Sequence, residues 1–109
     1  MIKPVGRERD IQIAELREYN EIYEGKLTKS LFMCKEVGDS GVLLPKWSTN
    51  RNNAWELWDE LPTPKSYYVG ETSTVIVGTD AEIMLRGKDF ADCVSQAWIT
   101  WKEVANDRG

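Results

Sequence analysis

The sequence lacks histidine altogether, and this absence narrows the chemistry open to the protein. Histidine is the usual general base, the usual proton shuttle and the commonest metal ligand. Its two cysteines, Cys34 and Cys93, are too few and too far apart for a disulfide framework or a clustered zinc site. We expect both to be buried thiols. The pattern predicts a binding protein rather than an enzyme, with no catalytic residues, no cofactor and no metal site.

Long apolar runs are also absent. Segments such as Thr72–Val77 are far shorter than the roughly 20 residues that span a bilayer. The start of the chain, Met1–Asp10, carries charges and a proline where a secretory signal has an apolar centre. These features predict a cytoplasmic protein without a membrane segment.

Composition and charge indicate the number of domains and limit the kinds of partner. A chain of 109 residues with 41% hydrophobic residues is typical of a single domain, here residues 1–109. With 18 acidic against 14 basic residues the net charge is -4, so we expect no broad attraction to a nucleic-acid backbone and no nucleic-acid partner. Five tryptophans are a heavy load for this length, and they should lie in a core or an interface.

Three segments have helical spacing of apolar residues. They are Arg9–Glu24, the segment from Ser48-Thr49-Asn50 to Pro62, and Phe90–Asn106. Asp10 and Asp89 are the expected N-caps of the first and third helices, and Gly25 is the expected end of the first. The second begins at one of its three consecutive N-cap candidates.

Runs of β-branched and apolar residues predict the strands. They are Lys29–Val37, Val42–Leu44 after a turn over Gly38–Gly41, Tyr67–Val77 interrupted at Gly70, and Glu82–Arg86 after a turn over Gly78–Asp80. The last two should form an antiparallel hairpin. The fold class is therefore α+β, with a small, mainly antiparallel sheet packed against two or three helices as an α/β/α-type sandwich.

The order of these motifs resembles the phage ABA sandwich domain family. The resemblance rests on Trp47-Ser48-Thr49-Asn50 before Ala54-Trp55-Glu56-Leu57, then the hairpin, then Ala91–Trp98, and it covers roughly Asp10 to Glu103. It implies a phage or prophage origin, in which small proteins bind and block a host component. It brings no reaction and no catalytic residues.

Residues around the second helix are candidates for ligand binding. A pocket lined by Trp47, Trp55 and Trp58 beside Arg51 would suit a nucleotide base and its phosphate. Ser48, Asn50 and Asn53 crowd a helix start, where free N–H groups and the helix dipole favour an anion. Core packing is the competing interpretation of the tryptophans, and it is favoured for Trp55 and Trp58, which lie three residues apart on one helix. Ordinary capping is the competing interpretation of the polar residues.

Two further groups of candidate residues lie in the second half of the chain. Arg86 and Lys88 form a compact basic step before the last helix, although Asp89 would compete with a phosphate for the same N–H donors. Tyr67 and Tyr68 point to opposite faces of a strand, so one should be buried and the other free for a partner.

The first functional hypothesis is a phage-encoded, non-catalytic counter-defence protein that sequesters a small nucleotide-type ligand. The pocket would be shared between the subunits of a homo-oligomer, because so small a monomer encloses little volume. The alternative is an inhibitor that masks a host defence protein, for example its nucleic-acid-binding surface, by direct contact. Trp98 and Trp101 lie three residues apart on the last helix, and one of them could exceed what the core accepts and serve self-association.

Overall fold

The structure is a computed structural model that describes residues 2–27, 29–36 and 41–108. These residues form the helices α1 (Arg7–Leu16), α2 (Arg51–Glu60) and α3 (Phe90–Arg108), and the strands β1 (Glu21–Glu24), β2 (Leu31–Cys34), β3 (Val42–Leu43), β4 (Lys65–Val69), β5 (Ser73–Val77) and β6 (Ile83–Gly87). The predicted α+β class is confirmed. The strands form two antiparallel three-stranded sheets, β1-β2-β3 and β4-β5-β6, where a single sheet was expected.

The first helix is shorter than predicted. It ends at Leu16 because Glu18 adopts a left-handed conformation with φ of 69°. The Tyr19 N–H then donates to the Ala14 carbonyl at 3.1 Å, and the Glu18 N–H to the Glu15 carbonyl at 3.0 Å. This is a Schellman ending with glutamate where glycine is usual. The predicted continuation to Glu24 is therefore wrong.

Asp10 does not cap that helix, contrary to the prediction. It lies inside α1 with its side chain buried, and its Oδ1 accepts the Ser48 N–H at 2.8 Å. The N-cap is Gly6, whose φ of 110° suits glycine. The predicted stop at Gly25 follows a strand rather than a helix.

The first sheet is formed by three short strands. Strand β1 pairs with β2, and β2 with β3, so that Tyr23, Phe32 and Leu43 lie side by side. The prediction of strands around Leu31–Cys34 and Val42–Leu43 is confirmed. The turn predicted over Gly38–Gly41 lies outside the described residues except for Gly41.

Local capping chemistry begins the other two helices. Asn50 Oδ1 accepts the Asn53 N–H at 3.1 Å at the start of α2, and Asp89 Oδ1 accepts the Asp92 N–H at 2.9 Å at the start of α3. Each side chain pairs an N–H that the helix itself leaves without a partner. Both predicted caps are confirmed.

The second sheet contains the predicted hairpin between β5 and β6, and β4 adds a third strand. Val75 and Val77 are buried, while Met84 and Arg86 on the opposite face are exposed. Helix α3 packs against β5 and β6 and also against α1 and α2, which places it at the centre of the core.

The tryptophans differ in burial. Trp47 and Trp98 are fully enclosed, Trp58 and Trp101 are half-buried, and Trp55 keeps 41% of its surface exposed. The interpretation of Trp55 as a core residue is therefore wrong. Its ring packs on Phe90, with 4.7 Å between the centroids, but its other side faces solvent.

A buried ion pair ties α1 to α3. Arg9 Nη1 lies 2.6 Å from Asp92 Oδ1 and also donates to Ser95 Oγ at 3.1 Å. Asp92 Oδ2 accepts the Lys88 N–H at 2.9 Å, and Oδ1 accepts from Gln96 Nε2 at 3.1 Å. These partners satisfy both charged groups away from water.

Within the part of the chain that the structure describes, no helix is both long and apolar enough to span a membrane.

Candidate functional site

Two of the predicted ligand residues are taken up by internal contacts. The Trp47 indole is buried, and its Nε1–H donates to Glu56 Oε2 at 3.0 Å. The buried Ser48 hydroxyl accepts the Gly6 N–H at 2.9 Å and donates to the Gly6 carbonyl at 3.2 Å. In this arrangement neither side chain presents a free face to a ligand, and Ser48 instead holds the start of α1 in place.

The predicted residues of α2 are partly committed to the helix. Asn50 caps it, and Asn53 Oδ1 accepts the Lys46 N–H at 3.1 Å. The exposed Arg51 guanidinium lies over the Phe90 ring, 4.9 Å from its centroid. Asn53 also lines a cleft together with residues of the loop that precedes α2.

The remaining predicted residues lie elsewhere. Tyr67 packs edge-on against Phe90 at 4.9 Å, and its hydroxyl is 3.0 Å from Ser73 Oγ. Arg86 and Lys88 are exposed at the end of β6 and after it. Arg51 and Tyr67 thus meet at one ring, but the eight predicted residues do not line one cavity.

A cleft lies between the start of α1, the loop before α2, and strands β2 and β3. Its volume is about 650 Å³, within the range of small-molecule sites. It is lined by Gly6, Arg7, Asp10, Lys29, Ser30, Leu31, Leu43, Leu44, Pro45, Lys46, Thr49 and Asn53. We call it the α1–β3 cleft.

Three basic side chains surround this cleft. Arg7, Lys29 and Lys46 line it, and among the described residues none of them forms an ion pair. Asp10 is the single acidic group among the described residues that line the cleft. The cleft is thus a local positive region on a protein of net charge -4, and such a region attracts anions.

Burial raises the pKa of the Asp10 carboxyl, and its hydrogen bonds from Ser48 and the nearby charges of Arg9 and Lys46 oppose that shift only in part. The Asp10 carboxylate is also committed to the Ser48 N–H, and it offsets one of the three positive charges that line the cleft.

The α1–β3 cleft combines charge with an apolar wall. Leu31, Leu43, Leu44 and Pro45 contribute carbon surface, and Leu43 is 60% exposed. The start of α1 reaches the cleft through Gly6 and has no side-chain cap, so its first N–H groups add partial positive charge. A ligand with an apolar ring and an anionic group would meet both kinds of surface.

Sequence reasoning missed Arg7, Lys29 and Lys46 because they lie in three separate segments. Lys46 stands beside the predicted Trp47, and its proximity to a helix start was the one local signal available. Its companions are brought to it by the packing of α1 and the first sheet.

The structure shows no metal centre in its described ranges, since no three His, Cys, Asp or Glu side chains group together there. Both cysteines are buried, as predicted, and neither forms a disulfide.

We expect the Cys93 thiol to be inert in the folded protein. Burial, reinforced by the nearby Asp92 charge, raises its pKa from an ordinary 9.0 to about 11, and its S–H donates to the Ser73 carbonyl at 2.8 Å. Its thiolate fraction at neutral pH is then about a hundredfold below that of an ordinary thiol. Alkylation by iodoacetamide at pH 8, followed site by site by mass spectrometry, should modify Cys93 only as fast as the protein unfolds. Modification within minutes without denaturant would contradict this environment.

No protein-family model, no curated protein and no solved structure matches this chain. The resemblance to phage ABA sandwich domains accordingly stays a prediction.

Proposed function

We propose that this protein is a non-catalytic binding protein that holds a small nucleotide-type ligand in the α1–β3 cleft. The observation that carries the proposal is the convergence of Arg7, Lys29 and Lys46, without ion-pair partners among the described residues, on a cleft with an apolar wall. Phosphate oxygens would meet the three cations, and the base would lie on the leucine side.

The proposed biological role is sequestration, in a phage counter-defence setting. Sequestration needs only a site that binds tightly, which fits a chain without histidine. The resemblance to small phage proteins is the sole support for that setting.

The direct test is mass spectrometry of small molecules released by heat from the purified protein, followed by calorimetric titration with ATP, cyclic AMP and inorganic phosphate. We expect a nucleotide to bind and its affinity to fall as salt rises, because the contact is largely ionic. Protein that carries no nucleotide, binds none of the probes and instead captures a host polypeptide would favour the masking alternative.

Reversing one charge in the cleft should weaken binding strongly. Lys46→Glu removes a charge-assisted contact and adds repulsion, so we expect a loss of about 2 kcal/mol or more, roughly thirtyfold in Kd for the nucleotide probe. Lys35→Glu makes the same charge change at an exposed residue outside the cleft lining and serves as the matched control. Calorimetry on both variants gives the comparison.

A third variant separates this site from the one that sequence alone predicts. Lys88→Glu alters the basic step before α3 and leaves the α1–β3 cleft intact. If Lys88→Glu reduces affinity and Lys46→Glu does not, the ligand lies at the end of β6 and the proposed location is wrong.

A further inference from the structure

Strand β4 has an outer edge whose hydrogen-bonding groups point away from its sheet. The Gly78 N–H donates to the Pro64 carbonyl at 2.8 Å and the Gly70 N–H to the Thr72 carbonyl at 3.0 Å. Both bonds continue the register of β4 with β5. In an antiparallel pair the bonded residues alternate, so Ser66 and Tyr68 face β5. The N–H and C=O groups of Lys65, Tyr67 and Val69 therefore point outward.

The opposite edge of the same sheet, along β6, accepts a hydrogen bond from a side chain. By the same alternation Arg86 in β6 points its carbonyl outward, and Gln96 Nε2 donates to it at 3.0 Å. No described group hydrogen-bonds to the outward N–H and C=O groups of Lys65, Tyr67 and Val69. A side chain of α3 thus covers one end of the β6 edge, whereas the outward backbone groups of all three β4 residues lack a hydrogen-bond partner among the described residues.

Apolar side chains surround this open edge. Val69 is 76% exposed and Tyr68 58% exposed at the end of β4. Tyr67, which shares a face of the sheet with Val69, contacts Phe90, and Phe90 packs on the partly exposed Trp55. An open edge bordered by large apolar groups is a template for pairing with another strand.

We propose that β4 pairs antiparallel with β4 of a second copy of this chain, joining two three-stranded sheets into one of six strands. Two copies related by a twofold axis present the same outward groups to each other, so each satisfies the other's donors and acceptors. Charge fits as well. Lys65 begins β4, and its Nζ is held by the Trp58 and Leu61 carbonyls, with no carboxylate paired to it among the described residues. Glu71 follows the end of β4, and antiparallel pairing brings the basic end of one strand towards the acidic end of the other.

The pairing is independent of the nucleotide proposal because neither β4 nor Trp55 lines the α1–β3 cleft. The contact between the two copies lies in the second sheet. The cleft, formed by α1 and the first sheet, stays open in each copy.

Light scattering after size exclusion tests the assembly. Wild type at 100 µM should have twice the 12.5 kDa mass of the chain. Val69→Lys places a charge at the paired edge and should weaken dimerisation by at least about tenfold. Met84→Lys is the matched control, because Met84 is also an exposed apolar residue on an edge strand of this sheet, 56% exposed, but on the opposite edge. It should remain dimeric.

Residue-resolved hydrogen exchange tests the register of the contact and does not depend on mass alone. Ser66 and Tyr68 amides bond to β5 and should be protected in wild type and in Val69→Lys alike. Lys65 and Tyr67 amides should be protected by about tenfold or more in wild type only, since the partner is their sole acceptor. A wild type that is monomeric at 100 µM, or a dimer in which the Lys65 and Tyr67 amides exchange freely, overturns the proposal.

Discussion

Replacing Arg9 by methionine should lower the free energy of unfolding by about 3–5 kcal/mol, because it leaves a buried carboxylate without its counter-ion. Arg9 and Asp92 are both buried, and the guanidinium also reaches Ser95 and the Lys3 carbonyl. Methionine fills a similar volume, so the loss reports mainly on the charge. Urea denaturation of wild type and Arg9→Met at pH 7 measures the difference.

The pH dependence of that loss has a definite sign. Burial by itself would raise the pKa of Asp92, but the Arg9 guanidinium, the Lys88 N–H and Gln96 outweigh burial and hold the pKa below its ordinary value of 3.8. In wild type this carboxylate therefore stabilises the fold at neutral pH, and the contribution is lost only as pH falls through that lowered pKa. In Arg9→Met burial acts with less opposition, the pKa of Asp92 rises, and acid should restore part of the stability.

The gap between the two proteins should accordingly shrink between pH 7 and about pH 4.5. The double variant Arg9→Met with Asp92→Asn provides the control, since the amide oxygen still accepts the Lys88 N–H but carries no charge. It should recover about half of the loss. A double variant no more stable than Arg9→Met would show that packing, not the unpaired charge, causes the destabilisation.

The second large effect is expected at Trp98. Its side chain is fully buried on α3, and its Nε1–H donates to Glu60 Oε1 at 2.9 Å. The Arg17 guanidinium lies 5.7 Å from its ring centroid and 5.4 Å from that of Trp47, while its Nη2 bonds Glu60 Oε2 at 2.8 Å. Trp98→Ala should lower the free energy of unfolding by about 3–5 kcal/mol, because it leaves a cavity and removes one side of this stack.

Two companion variants separate packing from hydrogen bonding at this position. Trp98→Phe keeps most of the apolar area and should cost clearly less than Trp98→Ala, with about 1–1.5 kcal/mol from the lost N–H donor. Trp101→Ala, three residues along the same helix but half-buried, should cost about 1–2 kcal/mol. Thermal and urea unfolding compare all three, and an equal cost at Trp98 and Trp101 would contradict the different burial of the two rings.

The Arg17 stack also explains why this guanidinium tolerates a buried Nη1 without a hydrogen-bond partner. Both indole faces present negative charge density to the cation, and Glu60 supplies the counter-ion. The sequence offers no sign of this arrangement, since Arg17, Trp47, Glu60 and Trp98 come from four segments.

The α1–β3 cleft depends on contacts that sequence reasoning assigned elsewhere. Asp10 was expected at a helix cap and Ser48 in a ligand site, yet the two bond to each other and to Gly6. By fixing the start of α1 against the loop before α2, they determine the distance across the cleft. Their contribution to binding is therefore one of position.

Patterns that operate over a few residues could be predicted from the sequence. Asn50 and Asp89 cap their helices because a short polar side chain reaches the free N–H three residues later. The β5–β6 hairpin follows from alternation and a glycine-containing turn. The end of α1 could not be predicted, because Glu18 in a left-handed conformation carries no compositional signal and Ile22 then pairs across a sheet rather than along a helix.

By itself, then, the sequence determined the α+β class, two helix starts, the hairpin, the burial of both cysteines and the lack of any histidine chemistry. All of these depend on residue type and near neighbours. Only the tertiary structure decided that Arg7, Lys29 and Lys46 share a cleft, that Trp47 is enclosed while Trp55 is exposed, and that β4 keeps an open edge. The reason is that each of these features depends on which distant segments pack together. The sequence shows that a charge or an indole is present, but it does not show which distant residues surround it.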